Sequence, residues 1–141
     1  MKTIETEIVI RAPLERVWSV LSDVAHWSDW NPFVRSFAGE LKVGERVTVK
    51  IGPPGRSTTT FRPRILEADR KIVWLGSLGF RGIFDGEHHI ELDSLAEGTR
   101  VRHFERFSGI LVPLLASLLR DTVSGFTAMN EALKARVEAG G

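Results

Sequence analysis

Residues 82–108 read GIFDGEHHIELDSLAEGTRVRHFERFS, and the way this stretch folds decides the rest of the chain. Phe84, His88, Ile90 and Leu92 alternate with Asp85, Glu87, His89, Glu91 and Asp93, the period of two expected of a strand with one buried face. Beyond Leu95-Ala96-Glu97-Gly98, the residues Val101, His103, Glu105 and Phe107 share the buried parity, because Arg100, Arg102 and Arg106 occupy the other. Phe104 is the exception, an aromatic on the outer face. A four-residue loop over 95–98 pairs Ser94 with Thr99. Counting back, it sets Leu92 opposite Val101, Ile90 opposite His103, His88 opposite Glu105 and Gly86 opposite Phe107. The expectation is an antiparallel hairpin carrying two histidines and a glutamate on its buried face.

Working outward, Ile4, Thr6, Ile8 and Ile10 alternate with Glu5, Glu7, Val9 and Arg11, so the chain opens with a strand. Pro13 suits a first helical turn, and Leu14, Val17, Trp18 and Leu21 follow at helical spacing. Ser22 or Asp23 is placed to cap a second short helix over Val24 to Trp30, which Pro32 ends. Strands are expected at Val34 to Ala38, Arg46 to Ile51, Ser57 to Ala68, Lys71 to Leu78, Gly82 to Asp93 and Thr99 to Ser108, seven in all with the first. From Leu111 to Val137 the apolar residues recur every three or four positions, predicting one long amphipathic helix that frays at Gly140-Gly141. Gly125 in its middle points to a bend or a close approach to the sheet. Short turns between consecutive strands suit an antiparallel meander, and only the long helix is large enough to cover its apolar face. These elements form an α+β arrangement in a single domain spanning 1–141.

Composition narrows the chemistry. The chain has 141 residues, 43% of them hydrophobic and 26% charged, as one globular domain requires. There is no cysteine, so disulfides, thiol nucleophiles and cysteine-ligated metals are all excluded. The 19 Lys and Arg nearly balance the 18 Asp and Glu, leaving no net field to draw in nucleic acid. Charges in Met1 to Glu7 argue against a secretory signal, and the apolar run Gly109 to Leu119 is too short to span a bilayer and is broken by Pro113. A cytoplasmic location and no stable membrane insertion are expected. No G-x-S-x-G elbow, dinucleotide fingerprint or P-loop is present.

The order of elements resembles the SRPBCC or START-like superfamily, in its polyketide cyclase/dehydrase and lipid-transport branch. The resemblance is carried by the helix Pro13 to Leu21, the stretch Trp27-Ser28-Asp29-Trp30-Asn31-Pro32-Phe33, Gly86-Glu87-His88, Glu105-Arg106-Phe107-Ser108-Gly109 and the closing helix. It implies a helix-grip fold: a curved, seven-stranded antiparallel sheet wrapped around the long C-terminal helix, as in birch-allergen-like proteins, with two short helices after the first strand. Between sheet and helix it implies a cavity for an apolar or amphipathic molecule. Gly52-Pro53-Pro54-Gly55 departs from the longer glycine-rich loop of the plant-allergen members.

On that fold Trp27, Trp30 and Phe33 would rim the cavity, with core packing as the plainer alternative for the two tryptophans. Trp74, Phe84 and Phe107 would add to its wall. Leu115, Leu118, Thr122, Phe126 and Met129 would face the sheet from the long helix, with Asn130 as a further polar feature. His88 and Glu105 would form a buried pair, either a proton-transfer dyad, a polar anchor for a ligand or a satisfied structural contact, with His103 on the same face. His26 and His89 are expected at the surface. No metal and no cofactor are expected. Two functions follow: binding a lipid, polyketide-like or aromatic molecule, or a cofactor-independent cyclase, dehydratase or isomerase reaction using His88 and Glu105. A protein-partner module is the third.

Overall fold

A computed structural model describes residues 1–140; Gly141 lies outside them, and with it that part of the expected frayed end. The chain runs β1 (Lys2–Ile10), α1 (Leu14–Leu21), a 3-10 helix (Val24–Asp29), β2 (Val34–Ala38), β3 (Thr48–Ile51), β4 (Thr59–Phe61), β5 (Arg64–Ala68), β6 (Lys71–Ser77), β7 (Asp85–Leu95) and β8 (Gly98–Ser108). A short 3-10 turn (Val112–Leu114) then leads into α2 (Ala116–Ala139).

Among the described residues there are eight strands in two sheets, which corrects the expected seven in one. The larger sheet has the order β1-β8-β7-β6-β5 and the smaller β2-β3-β4, all neighbours antiparallel. Pro63 makes the difference. Without an N–H it cannot continue a ladder, and its carbonyl instead accepts the Val47 N–H at 3.0 Å. The stretch expected as one strand, Ser57 to Ala68, is therefore cut in two. β4 pairs with β3, while β5 crosses to the larger sheet and pairs with β6.

The first strand shows the alternation its sequence implies, with Ile4 and Ile10 buried and Glu5, Glu7 and Val9 exposed. Val17 and Leu21 turn the inner face of α1 into the same core. Each such aliphatic side chain contributes roughly 1.5–3 kcal/mol by leaving water. The second short helix is a single stretch of 3-10 helix, and Asp23 at its start gives its carboxylate to His26 rather than to a backbone N–H.

The closing helix begins at Ala116 rather than Leu111, because Pro113 lies in the 3-10 turn before it. Its buried stripe is Leu119, Gly125, Phe126, Met129, Asn130, Leu133 and Val137, and it packs chiefly on β1. Gly125 is required by contact: a Cβ there would lie 2.1 Å from Cδ1 of Phe33. In the first two turns of α2, Leu118 is exposed and Thr122 half-buried, since a cavity rather than packed core lies beneath them.

Candidate functional site

The β7–β8 hairpin has the register its sequence implies, with Leu92 opposite Val101, Ile90 opposite His103, His88 opposite Glu105 and Gly86 opposite Phe107. Leu95 and Gly98 also pair, so the loop itself is Ala96-Glu97. On the other side β6 sets Trp74 opposite His88, and the two rings stack at 4.5 Å between centroids, tilted by 19°.

These pairings build a continuous buried chain of polar groups. Glu105 Oε1 lies 3.1 Å from His88 Nδ1, His88 Nε2 is 3.0 Å from His103 Nε2, and His103 Nδ1 is 2.8 Å from Asn130 Oδ1. Asn130 Nδ2 donates to Thr6 Oγ1 at 2.9 Å, and the threonine hydroxyl donates to the His103 carbonyl at 2.8 Å. His88 and His103 are 1% and 0% exposed. Phe126 lies flat on His103 at 3.9 Å and edge-on to His88 at 5.0 Å, which fixes both imidazole planes.

The anchored end dictates where the protons are. Asn130 gives its N–H to Thr6, so its oxygen accepts and His103 Nδ1 must donate. A neutral His103 then accepts at Nε2, so His88 Nε2 donates to it. What remains is one proton between His88 Nδ1 and Glu105 Oε1. Burial keeps it on the carboxyl, because it pushes the His88 imidazole down to about 3 and the Glu105 carboxyl up to about 8. Burial likewise holds His103 well below the ordinary imidazole range, with the neighbouring His88 adding to the effect. The chain is therefore a line of neutral groups ending in a carboxylic acid.

That carboxyl opens on a cavity of about 270 Å³. Its walls come from both sheets and the first turns of α2: Phe33, Ile51, Phe61, Pro63, Trp74, Phe84, Phe107 and Leu118 supply the apolar surface, with His88 and Glu105 at the inner end. Phe84 and Phe107 stack at 5.3 Å. Gly86 makes room for the acid, since a Cβ there would lie 2.0 Å from Glu105 Oε2. Near Leu118 the lining includes Arg56 of the β3–β4 loop and Asp121 of α2, an exposed ion pair at 3.6 Å.

Of the residues singled out in the sequence, Phe33, Trp74, Phe84, His88, Glu105, Phe107, Leu118 and Thr122 meet at this cavity. Others do not. Trp27 is fully buried in the core with its indole N–H on the Leu21 carbonyl, and Trp30 packs edge-on against it. Leu115 packs against the core, Met129 is buried within it, and Phe126 and His103 stand behind His88. His26 is exposed, but His89 is buried at 7% exposure, which corrects its surface placement. It stacks on Phe104 at 4.5 Å between Glu87 and Glu91. Sequence reasoning did not anticipate Ile51, Phe61, Pro63, Arg56 or Asp121 as wall residues. The turn at 52–55 gave no sign that this segment folds over the cavity. Among the described residues no helix is long and apolar enough to cross a membrane.

The family described as polyketide cyclase / dehydrase and lipid transport matches residues 1–138, and the chain belongs to it. No curated protein matches the sequence significantly. Protein MLL2253 from Mesorhizobium loti superposes with a TM-score of 0.78 at 16% identity, over 99% of each chain. A START superfamily protein from Mycobacterium smegmatis gives 0.73 at 18% identity, again over 99% of each. StfQ, a di-domain ARO/CYC protein from the steffimycin biosynthetic pathway, gives 0.73 at 17% identity, 99% of this chain covering 52% of that one. At these identities the likeness is one of fold.

Proposed function

We propose that this member of the polyketide cyclase / dehydrase and lipid transport family binds a small, largely apolar molecule between its two sheets and α2, with Glu105 and His88 at the molecule's polar end. The observation that carries this reading is the cavity itself. Five aromatic side chains, Phe33, Phe61, Trp74, Phe84 and Phe107, wall a space of about 270 Å³ whose inner end holds one accessible carboxyl group. Apolar walls with a few convergent polar groups are the usual make-up of a small-molecule site. The family description and the biosynthetic setting of StfQ favour a lipid, polyketide-like or aromatic molecule.

Native mass spectrometry of the purified protein, followed by organic extraction, tests the reading directly. A defined apolar molecule near one-to-one stoichiometry is the expected result. Uptake of apolar fluorescent probes should fall at least several-fold in Trp74→Ala and Leu118→Arg, both of which alter the wall. An empty protein whose probe uptake is unmoved by both variants would refute it.

The second reading is an enzyme of cyclase, dehydratase or isomerase type needing no cofactor. It is favoured by the Glu105–His88 contact at 3.1 Å facing the cavity. In that case Glu105 would exchange a proton with a bound carbonyl compound while His88 takes or returns the proton on Oε1. Turnover on a carbonyl substrate would then be lost in His88→Ala with the fold intact, and full activity in that variant would dispose of the role.

A further inference from the structure

The hydrogen-bond chain restricts what Glu105 can offer a ligand. Its Oε1 shares the single remaining proton with His88 Nδ1. This holds whether the proton sits on the carboxyl or on the imidazole, so in both cases Oε2 carries no hydrogen. Oε2 has no partner among the described residues, yet it is not sealed off, since the one buried side-chain atom left without a partner is Asn31 Nδ2. It lies beside the Cβ-less Gly86 at the cavity wall. Of the other polar side chains of the lining, Ser77 donates to Asp85, Thr122 to the Leu118 carbonyl and Arg56 pairs with Asp121, while Ser57 and Thr59 are exposed. At the inner end both ring nitrogens of His88 are committed.

We propose that Glu105 Oε2 is an acceptor-only subsite that selects planar aromatic ligands of one or two rings bearing a neutral hydroxyl group, and that it rejects the corresponding carboxylates. This rests on the ligand-binding reading above and specifies its substrate class. Flatness follows from the walls, where the Phe84–Phe107 stack and the Trp74 and His88 rings present aromatic surface. Size follows from volume: a cavity of about 150 Å³ holds benzene, and about 270 Å³ here holds roughly two fused rings. A hydroxyl group completes the free lone pair of Oε2. A carboxylate would meet that lone pair with no unpaired cation on the inner wall to offset the repulsion.

Calorimetric titration at pH 7 with naphthalene, 2-naphthol and 2-naphthoate tests this in four proteins: wild type, Glu105→Leu, Glu105→Gln and Gly86→Ala. In the wild type 2-naphthol should bind at least about tenfold more tightly than 2-naphthoate. The preference for 2-naphthol over naphthalene should fall about three- to tenfold in Glu105→Leu, as expected for one lost hydrogen bond. Gly86→Ala should lower it similarly, because its methyl group displaces Oε2. Glu105→Gln should keep it. Its amide N–H takes over the donation to His88 Nδ1 and its oxygen stays on the cavity side. Naphthalene affinity should be unchanged in Glu105→Gln.

If naphthalene binds but the 2-naphthol preference survives both Glu105→Leu and Gly86→Ala, the subsite is overturned while the cavity reading stands. Preferential binding of 2-naphthoate would overturn it equally. Should Glu105→Leu fail to fold, Gly86→Ala alone decides. If none of the three compounds binds the wild type, the cavity reading fails and the subsite with it.

Discussion

The state of the buried chain should be visible in the pH dependence of folding. Glu105 has its folded pKa raised by burial from 4.5 to about 8, so between those values the native protein holds a proton that the unfolded chain has released. Stability from this group is complete below pH 4.5 and is lost as pH rises through the folded value. The histidines act in the opposite sense. His88 is lowered from 6.5 to about 3, and His103 well below 6.5, so their contributions are present above pH 6.5 and are lost as pH falls. Between pH 4.5 and 6.5 Glu105 and His88 cancel, leaving His103 to make stability rise with pH. Above 6.5 both imidazoles are neutral in either state, and Glu105 alone among the three lowers stability up to about 8.

A maximum near pH 6.5 follows, with an alkaline fall set by one proton. One proton of difference changes the folding equilibrium about tenfold per pH unit, so the interval from 6.5 to 8 weakens folding roughly thirtyfold, about 2 kcal/mol. Urea unfolding followed by circular dichroism, at half-unit steps from pH 5 to 8.5, measures this directly. The comparison protein is Glu105→Gln, which keeps the bond to His88 but cannot titrate. His26, raised by its hydrogen bond to Asp23, adds a shallow decline near neutral pH in both proteins. The difference between the two curves therefore isolates Glu105. A wild-type curve that is flat or rising from pH 6.5 to 8, or one that Glu105→Gln leaves unchanged, would refute a neutral, buried acid.

Two further substitutions test the packing that holds the site. Gly125→Ala places a methyl group 2.1 Å from Cδ1 of Phe33, so it should destabilise by about 1–3 kcal/mol despite the roughly 1 kcal/mol that alanine contributes to helix formation. It should also push Phe33 toward the cavity and reduce probe uptake, and a protein of equal or greater stability in urea would contradict the contact. Asn130→Leu removes the acceptor of His103 Nδ1 and the donor to Thr6 together, and should cost about 2–4 kcal/mol through buried groups left unpaired. Unfolding within about 0.5 kcal/mol of wild type would show the chain to be dispensable.

The hairpin was legible because every clue in it agrees. Charged residues on one parity, a short glycine-ended loop and a glycine opposite an aromatic leave a single register for His88 and Glu105. The same count sets His89 opposite Phe104, and that pairing is what buries His89: the two rings stack, with Arg102 and Arg106 over the phenylalanine. Its burial was readable from the outer-face aromatic, once Phe104 was taken as its partner. Pro63 was equally visible, but a proline marks where a ladder ends and says nothing of which sheet the next strand joins. The wall formed by Ile51, Phe61 and Pro63 depends on that crossover, and contacts between two sheets leave no period in a sequence. Asn130 stood on the apolar stripe as a polar exception. Its partners lie 27 and 124 positions away, beyond the reach of spacing.

The residue at the far end of the chain bears on which proposed function the site suits. Because Glu105 is held as a neutral acid, a proton it takes from a bound molecule would leave a positive charge on the chain that must be stabilised. Here a proton driven from Glu105 to His88, and on to His103, would arrive beside Asn130, an amide that accepts a hydrogen bond but supplies no countercharge. Phe126 covers His103 and leaves it 0% exposed, so solvent does not supply one either. A buried imidazolium without a carboxylate is strongly disfavoured. The chain thus holds Glu105 in one orientation and one protonation state more readily than it moves protons. Those properties fit a fixed polar anchor in an apolar cavity, which is why ligand binding stands ahead of acid–base catalysis among the functions proposed for this fold.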